Sequence, residues 1–166
     1  MNTLLDPSFD SNLDLMFTRD VDLPPELIWQ AWTDPKILPQ WFCPKPWKVV
    51  ACEIDLRAGG RFQSVMQSPE GQQFPNEGCY LEVVPNKKLV WTDAMRAGFR
   101  PVAAPASSAG FLFTGIILLE PIDQGTRYTA IVKHSNPADC QKHEQMGFSK
   151  GWGMALDQLI ELMKAN

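Results

Sequence analysis

Read as apolar and polar positions, the chain changes its period twice. Residues 1–13 are polar, show no period, and are expected to form a flexible lead-in to a single domain covering 14–166. From Asp14 to Leu23 the pattern alternates, with Leu15, Phe17 and Val21 on one side, which predicts a strand. Pro24-Pro25 ends it and suits the first turn of a helix, in which Leu27, Ile28, Ala31 and Trp32 share a face. Thr33-Asp34-Pro35 stops that helix, and a second short one is expected from Lys36 to Phe42.

The middle of the chain returns to a period of two. In "KVVACEIDL" the expected inner face is Val50, Cys52, Ile54 and Leu56; after the turn "RAGG" it is Phe62, Ser64 and Met66. "EGCYLEVVP" and "KLVWTDAM" continue the series, and a glycine-, proline- and alanine-rich segment from Arg96 to Ala109 interrupts it. That segment is longer than a hairpin needs and is read as a mobile loop or lid, with Phe99 as an apolar latch. "GFLFTGIILLEPI" and "TRYTAIVKHS" then pair across Asp123-Gln124-Gly125, with Tyr128, Ala130, Val132 and His134 taken as inward. Beyond Asn136-Pro137 the period lengthens again. Phe148, Trp152, Ala155, Leu156, Leu159 and Met163 recur at helical steps, predicting one helix from Ala138 to Lys164. Strands joined by short turns imply an antiparallel meander, and a lone amphipathic helix must lie across it. The fold class is therefore α+β.

Composition adds limits. A net charge of −4, with Lys and Arg scattered, argues against a nucleic-acid partner. The N-terminus lacks a signal-peptide pattern and no apolar run is long enough for a membrane span, so a cytoplasmic location is the expectation. The four cysteines show no CxxC spacing and read as small buried residues.

The order of elements, together with the words "LPPELIWQAWTDPKILPQWFCP", "CEIDLRAGGRF", "GCYLEVVPNKKLVWTDA" and "HEQMGFSKGWGMALDQL", resembles the helix-grip superfamily of START-like and Bet v-like domains (SRPBCC). Within it, the chain is similar to the branch of the C-terminal domain of the heat-shock-protein-90 ATPase activator. The resemblance implies an antiparallel sheet of six to seven strands curved around the C-terminal helix, two short helices after the first strand, and an apolar cavity between sheet and helix.

The residues expected to face that cavity are Trp32, Trp41, Phe42, Trp47, Phe62, Met66, Tyr80, Trp91, Phe113, Tyr128, His134, Phe148, Trp152 and Leu156. Four of the six tryptophans fall between Ile28 and Trp47, and spacing alone leaves open whether they plug the core or wall a pocket. Gly147 and Gly151, four apart in the expected helix, permit either a close approach of another element or room for a ligand. Three function classes follow. The first is a binding protein for a small apolar or aromatic molecule, without a cofactor. The second is a cyclase- or hydrolase-like enzyme with His134, Asp93 or Glu77 as acid or base. The third, a chaperone-partner module, is least expected, because the resemblance spans essentially the entire sequence and leaves no chaperone-docking segment. "CQKHE", with Cys140, His143 and Glu144, has no second ligand pair, so no metal site is expected; Cys43 has no nearby histidine to activate it. A homodimer stays open.

Overall fold

The computed structural model describes residues 6–103 and 110–165. Strand β1 (Asp14–Val21) leads into helix α1 (Pro25–Thr33) and a 3-10 turn (Leu38–Gln40). Strands β2 (Lys48–Ile54), β3 (Arg61–Gln67), β4 (Gln73–Val84) and β5 (Lys88–Thr92) follow. A two-residue hairpin, β6 (Met95–Arg96) with β7 (Arg100–Pro101), precedes β8 (Thr114–Ile122) and β9 (Gly125–Lys133). Helices α2 (Pro137–Gln145) and α3 (Phe148–Ala165) close the chain.

Seven strands form one antiparallel sheet in the order β1-β9-β8-β5-β4-β3-β2. All neighbours but one are consecutive in the sheet; the exception is β1, which runs beside β9. The segment from Pro24 to Trp47 therefore carries the chain from one edge of the sheet to the other. α1 starts on Pro25 and buries Ile28, Ala31 and Trp32 against the sheet and α3. α3 buries Phe148, Ala155, Leu156, Leu159 and Met163 over the concave face, as the helical period requires. Each fully enclosed leucine there contributes about 2 kcal/mol of apolar burial.

Three features depart from the sequence pattern. A bulge between Val49 and Ala51 shifts the phase of β2: Val49 is buried, Cys52 and Ile54 pack on the core, and Val50 and Leu56 are exposed. One added residue turns every side chain before it to the opposite face. The expected single C-terminal helix is two, because Gly147 adopts φ +89° between them. Gly147 is thus the joint and not a residue of the helix interior. Asn136 caps α2, its side-chain oxygen accepting from Asp139 N at 2.9 Å. The expected second short helix shrinks to the 3-10 turn, which Pro39 suits at its start.

The described part of the lead-in is tied down. Lys133 Nζ meets Asp6 Oδ2 at 2.6 Å and Ser8 Oγ donates to Asp6 Oδ1 at 2.6 Å, and the two hold the Asp6 carboxyl down at about 2. Most of the expected lid, residues 104–109, lies outside the described residues. Phe99 is half exposed and lies on Gly59, where a Cβ would stand 2.8 Å from its ring; it is not in the wall of the interior cavity described below.

Candidate functional site

Between the concave face and the helices lies a cavity of about 590 Å³. Its inner wall is a continuous set of rings. Trp32 of α1 sits 4.9 Å from Trp41, 5.6 Å from Phe42, 5.3 Å from Trp91 of β5 and 6.4 Å from Trp152 of α3, between centroids. Trp91 and Trp152 stack at 6.5 Å, and Phe148 lies 5.3 Å from Trp152. Trp91 fits because its neighbour on β8 is Gly115, where a Cβ would come within 2.5 Å of the indole. Phe62, Ser64 and Met66 line the floor from alternate positions of β3.

Trp41 is fixed by its indole N–H, which donates to Ala31 O at 3.0 Å. The loop after it is clamped from α3. Gln158 Nε2 donates to the carbonyls of Trp41 and Cys43 at 3.0 and 2.9 Å, while Gln158 Oε1 accepts from Lys45 N at 3.0 Å. Sequence reasoning missed Gln158, since a lone glutamine on a helix carries no pattern. Among the lining residues, Trp47 (39% exposed) and Met146 (59%) are the large apolar side chains open to solvent. They place the opening between the clamped loop and the α2–α3 joint.

Polar groups gather on the wall around Phe113. Asp93 follows Trp91 by two and also lines the cavity; its Oδ1 accepts from Phe113 N at 2.9 Å. Burial raises its carboxyl to about 6, against the pull of the backbone hydrogen bonds. His143 of α2 lies 5.2 Å from Phe113, 4.9 Å from Phe111 and 5.4 Å from Phe148. Its Nδ1 is 2.9 Å from His134 Nε2, and His134 Nδ1 is 2.7 Å from Leu13 O. Burial first, then the neighbouring His134, lowers the His143 imidazole to about 4, so it is neutral near pH 7. Glu77, at the rim, is bracketed by Arg96 at 3.4 Å and Arg61 at 3.8 Å. Arg57 pairs with Asp55 and Arg61 with Glu53 on the exposed surface.

The cavity thus brings together Trp32, Trp41, Phe42, Trp47, Phe62, Met66, Trp91, Phe113, Tyr128, Phe148, Trp152 and Leu156. Tyr80 and His134 are not in the wall. Tyr80 lies behind Phe62, stacked at 5.2 Å, and burial holds its phenol well above the usual range. His134 stands one residue further out, behind His143. Asp93, Glu77, Gly147 and Gly151 do line the cavity. His143 was singled out in the sequence only within "CQKHE"; here it turns to the other histidine, and among the described residues no group of three His, Cys, Asp or Glu is placed to hold a metal ion. Cys43 is buried and its thiol is pushed up to about 11, which suits packing rather than nucleophilic attack. No helix of the described residues is long and apolar enough to cross a membrane.

A curved seven-stranded sheet gripping a C-terminal helix matches a family model, "Activator of Hsp90 ATPase homolog 1-like protein", over residues 22–164. The chain belongs to that family. Its fold is the helix-grip fold of START-like (SRPBCC) proteins. Among solved structures, protein NE0264 from Nitrosomonas europaea is 45% identical, with 95% of this chain and 97% of that chain covered and a TM-score of 0.89. Protein Ms6760 from Mycobacterium smegmatis is 25% identical over 94% and 93% of the two chains, at a TM-score of 0.75. An AHSA1-like protein from Aeromonas hydrophila, 19% identical with 92% and 93% coverage and a TM-score of 0.67, shares the fold. No curated protein matches the chain significantly.

Proposed function

We propose that this family member is a small-molecule binding protein that holds an apolar or aromatic ligand inside the grip, in one helix-grip domain over residues 14–166 and in the cytoplasm. The observation that carries the reading is a 590 Å³ cavity walled by aromatic rings and open beside Trp47 and Met146. Preformed apolar pockets of this size with a few convergent polar groups are the usual form of a small-molecule site. The rings already meet one another edge-on or stacked, so they are held in place before any ligand arrives. Melting the protein against a panel of small aromatic and aliphatic compounds tests this. A binder at 100 times its dissociation constant stabilises the fold by about 2.7 kcal/mol. A panel in which no compound shifts the melt defeats the reading.

Asp93 and His143 favour a second reading, an enzyme that moves one proton on a bound substrate. Both line the cavity against Phe113, and burial shifts them in opposite directions, the carboxyl up and the imidazole down. Turnover of a bound compound that is lost in both Asp93→Asn and His143→Phe, with binding retained, supports it. Binding without turnover in the unaltered protein leaves the carrier.

A further inference from the structure

The two histidines of the chain form a hydrogen-bond chain whose polarity, when each ring carries one proton, is set by a backbone carbonyl. Leu13 O can only accept, so His134 Nδ1, 2.7 Å away, carries a proton and donates it. A neutral His134 then has a bare Nε2, which accepts from His143 Nδ1 at 2.9 Å. His143 Nδ1 therefore holds the proton of that ring, and its Nε2 is left with an unshared lone pair. Among the described residues no hydrogen bond to this Nε2 is present. The ring is enclosed by Phe111, Phe113 and Phe148, and it is His143, not His134, that reaches the cavity wall.

Resting on the reading of the cavity as a ligand site, we infer that His143 Nε2 is a fixed hydrogen-bond acceptor for the ligand, and that the ligand class is a hydroxylated apolar or aromatic molecule whose O–H donates to it. Two observations sharpen this. The tautomer is set from outside the cavity by a main-chain carbonyl, so the ligand does not have to reorganise it. The Asp93 carboxyl, whose Oδ1 accepts from Phe113 N, lines the same cavity and offers it a further acceptor when ionised. A wall of acceptors set in aromatic rings selects a hydroxyl over an ether or a bare hydrocarbon, because only the hydroxyl satisfies the lone pair that the ligand buries.

The test compares 2-naphthol with 2-methoxynaphthalene, which share a ring system and differ in the donor proton. The intact protein is expected to bind 2-naphthol about tenfold more tightly, the value of one buried hydrogen bond. In His143→Phe both compounds bind and the difference vanishes. Equal binding of the two by the intact protein overturns the inference and leaves the cavity reading standing. No binding of either overturns both. Should His143→Phe fail to fold, the imidazole nitrogen resonances of the intact protein decide. The unprotonated His143 Nε2 signal is expected to move with 2-naphthol and not with its ether; an unmoved signal under saturating 2-naphthol overturns the inference.

Discussion

The tryptophan wall and the histidine end of the cavity are built on opposite principles. Around Trp32 the contacts are ring to ring, contributed by α1, β5, α3 and the loop after the 3-10 turn. Around His143 the elements meet through directed bonds: Leu13 before β1, His134 after β9, and Asp93 to the backbone of Phe113. The first region is non-directional and large, so it stabilises the fold and bounds a shape. The second contributes less burial but fixes the position of acceptors. An anchor and a pocket wall are thus one structure at the tryptophan end, whereas recognition chemistry belongs to the other.

If that division holds, Trp32→Ala has the largest effect. Trp32 is 2% exposed and meets four rings, so truncation is expected to cost about 3–5 kcal/mol in chemical denaturation. A cost below 1 kcal/mol would break the comparison at its stronger side. Gly115→Ala comes next. The added methyl would meet the Trp91 indole at 2.5 Å, and displacing that ring is expected to cost about 1–3 kcal/mol and to shift tryptophan emission.

At the histidine end the expected effects are smaller and depend on pH. The carboxyl of Asp93 is raised from 3.8 to about 6, so the folded state holds its proton more tightly than the unfolded chain. Its contribution is fully present below about pH 4 and is lost as pH rises towards 6. The imidazole of His143 is lowered from 6.5 to about 4, so its contribution is present above pH 6.5 and is lost as pH falls towards 4. The two oppose each other over the same window. Asp93→Asn keeps an oxygen for Phe113 N and removes the first, so it is expected to stabilise the protein by about 1–2 kcal/mol at pH 7 and by nothing near pH 3.5. Melts across that range check it, and an equal gain at both ends contradicts the assignment.

The smallest effect concerns the ring behind the wall. The Tyr80 hydroxyl is buried and has no hydrogen-bond partner among the described residues. Removing an unsatisfied buried hydroxyl relieves its desolvation, so Tyr80→Phe is expected to be neutral or stabilising by up to about 1 kcal/mol. A loss above 1 kcal/mol would mean the hydroxyl is satisfied in solution.

The contrast also explains what was legible in the sequence. The succession of elements along the chain, the α+β class and most of the aromatic wall follow from period and ring size, because a large apolar side chain on an inward strand position has few other places to go. Phe62, Ser64 and Met66 are an example. The bulge in β2 was not legible, since "KVVACEIDL" alternates in either phase until the partner strand selects one. Nor was the joint at Gly147: helical steps continue across it, and only the positive φ ends the first helix. His143 sits in "ADCQKHEQ", a polar stretch with no inward period, and its partner belongs to another element. One available clue was that the chain's two histidines flank a strand-to-helix turn nine residues apart. Gln158 gave no clue, because its role exists only once α3 meets the loop at Trp41–Lys45.

The most direct measurement is the indole N–H spectrum of the six tryptophans during titration with 2-naphthol. Trp32, Trp91 and Trp152 line the cavity, while Trp29 is half-buried outside it and serves as the internal reference. The account predicts saturable shifts at one ligand per chain for the cavity tryptophans, with Trp29 unmoved. Shifts that never saturate, or that are as large for Trp29 as for Trp152, would contradict it.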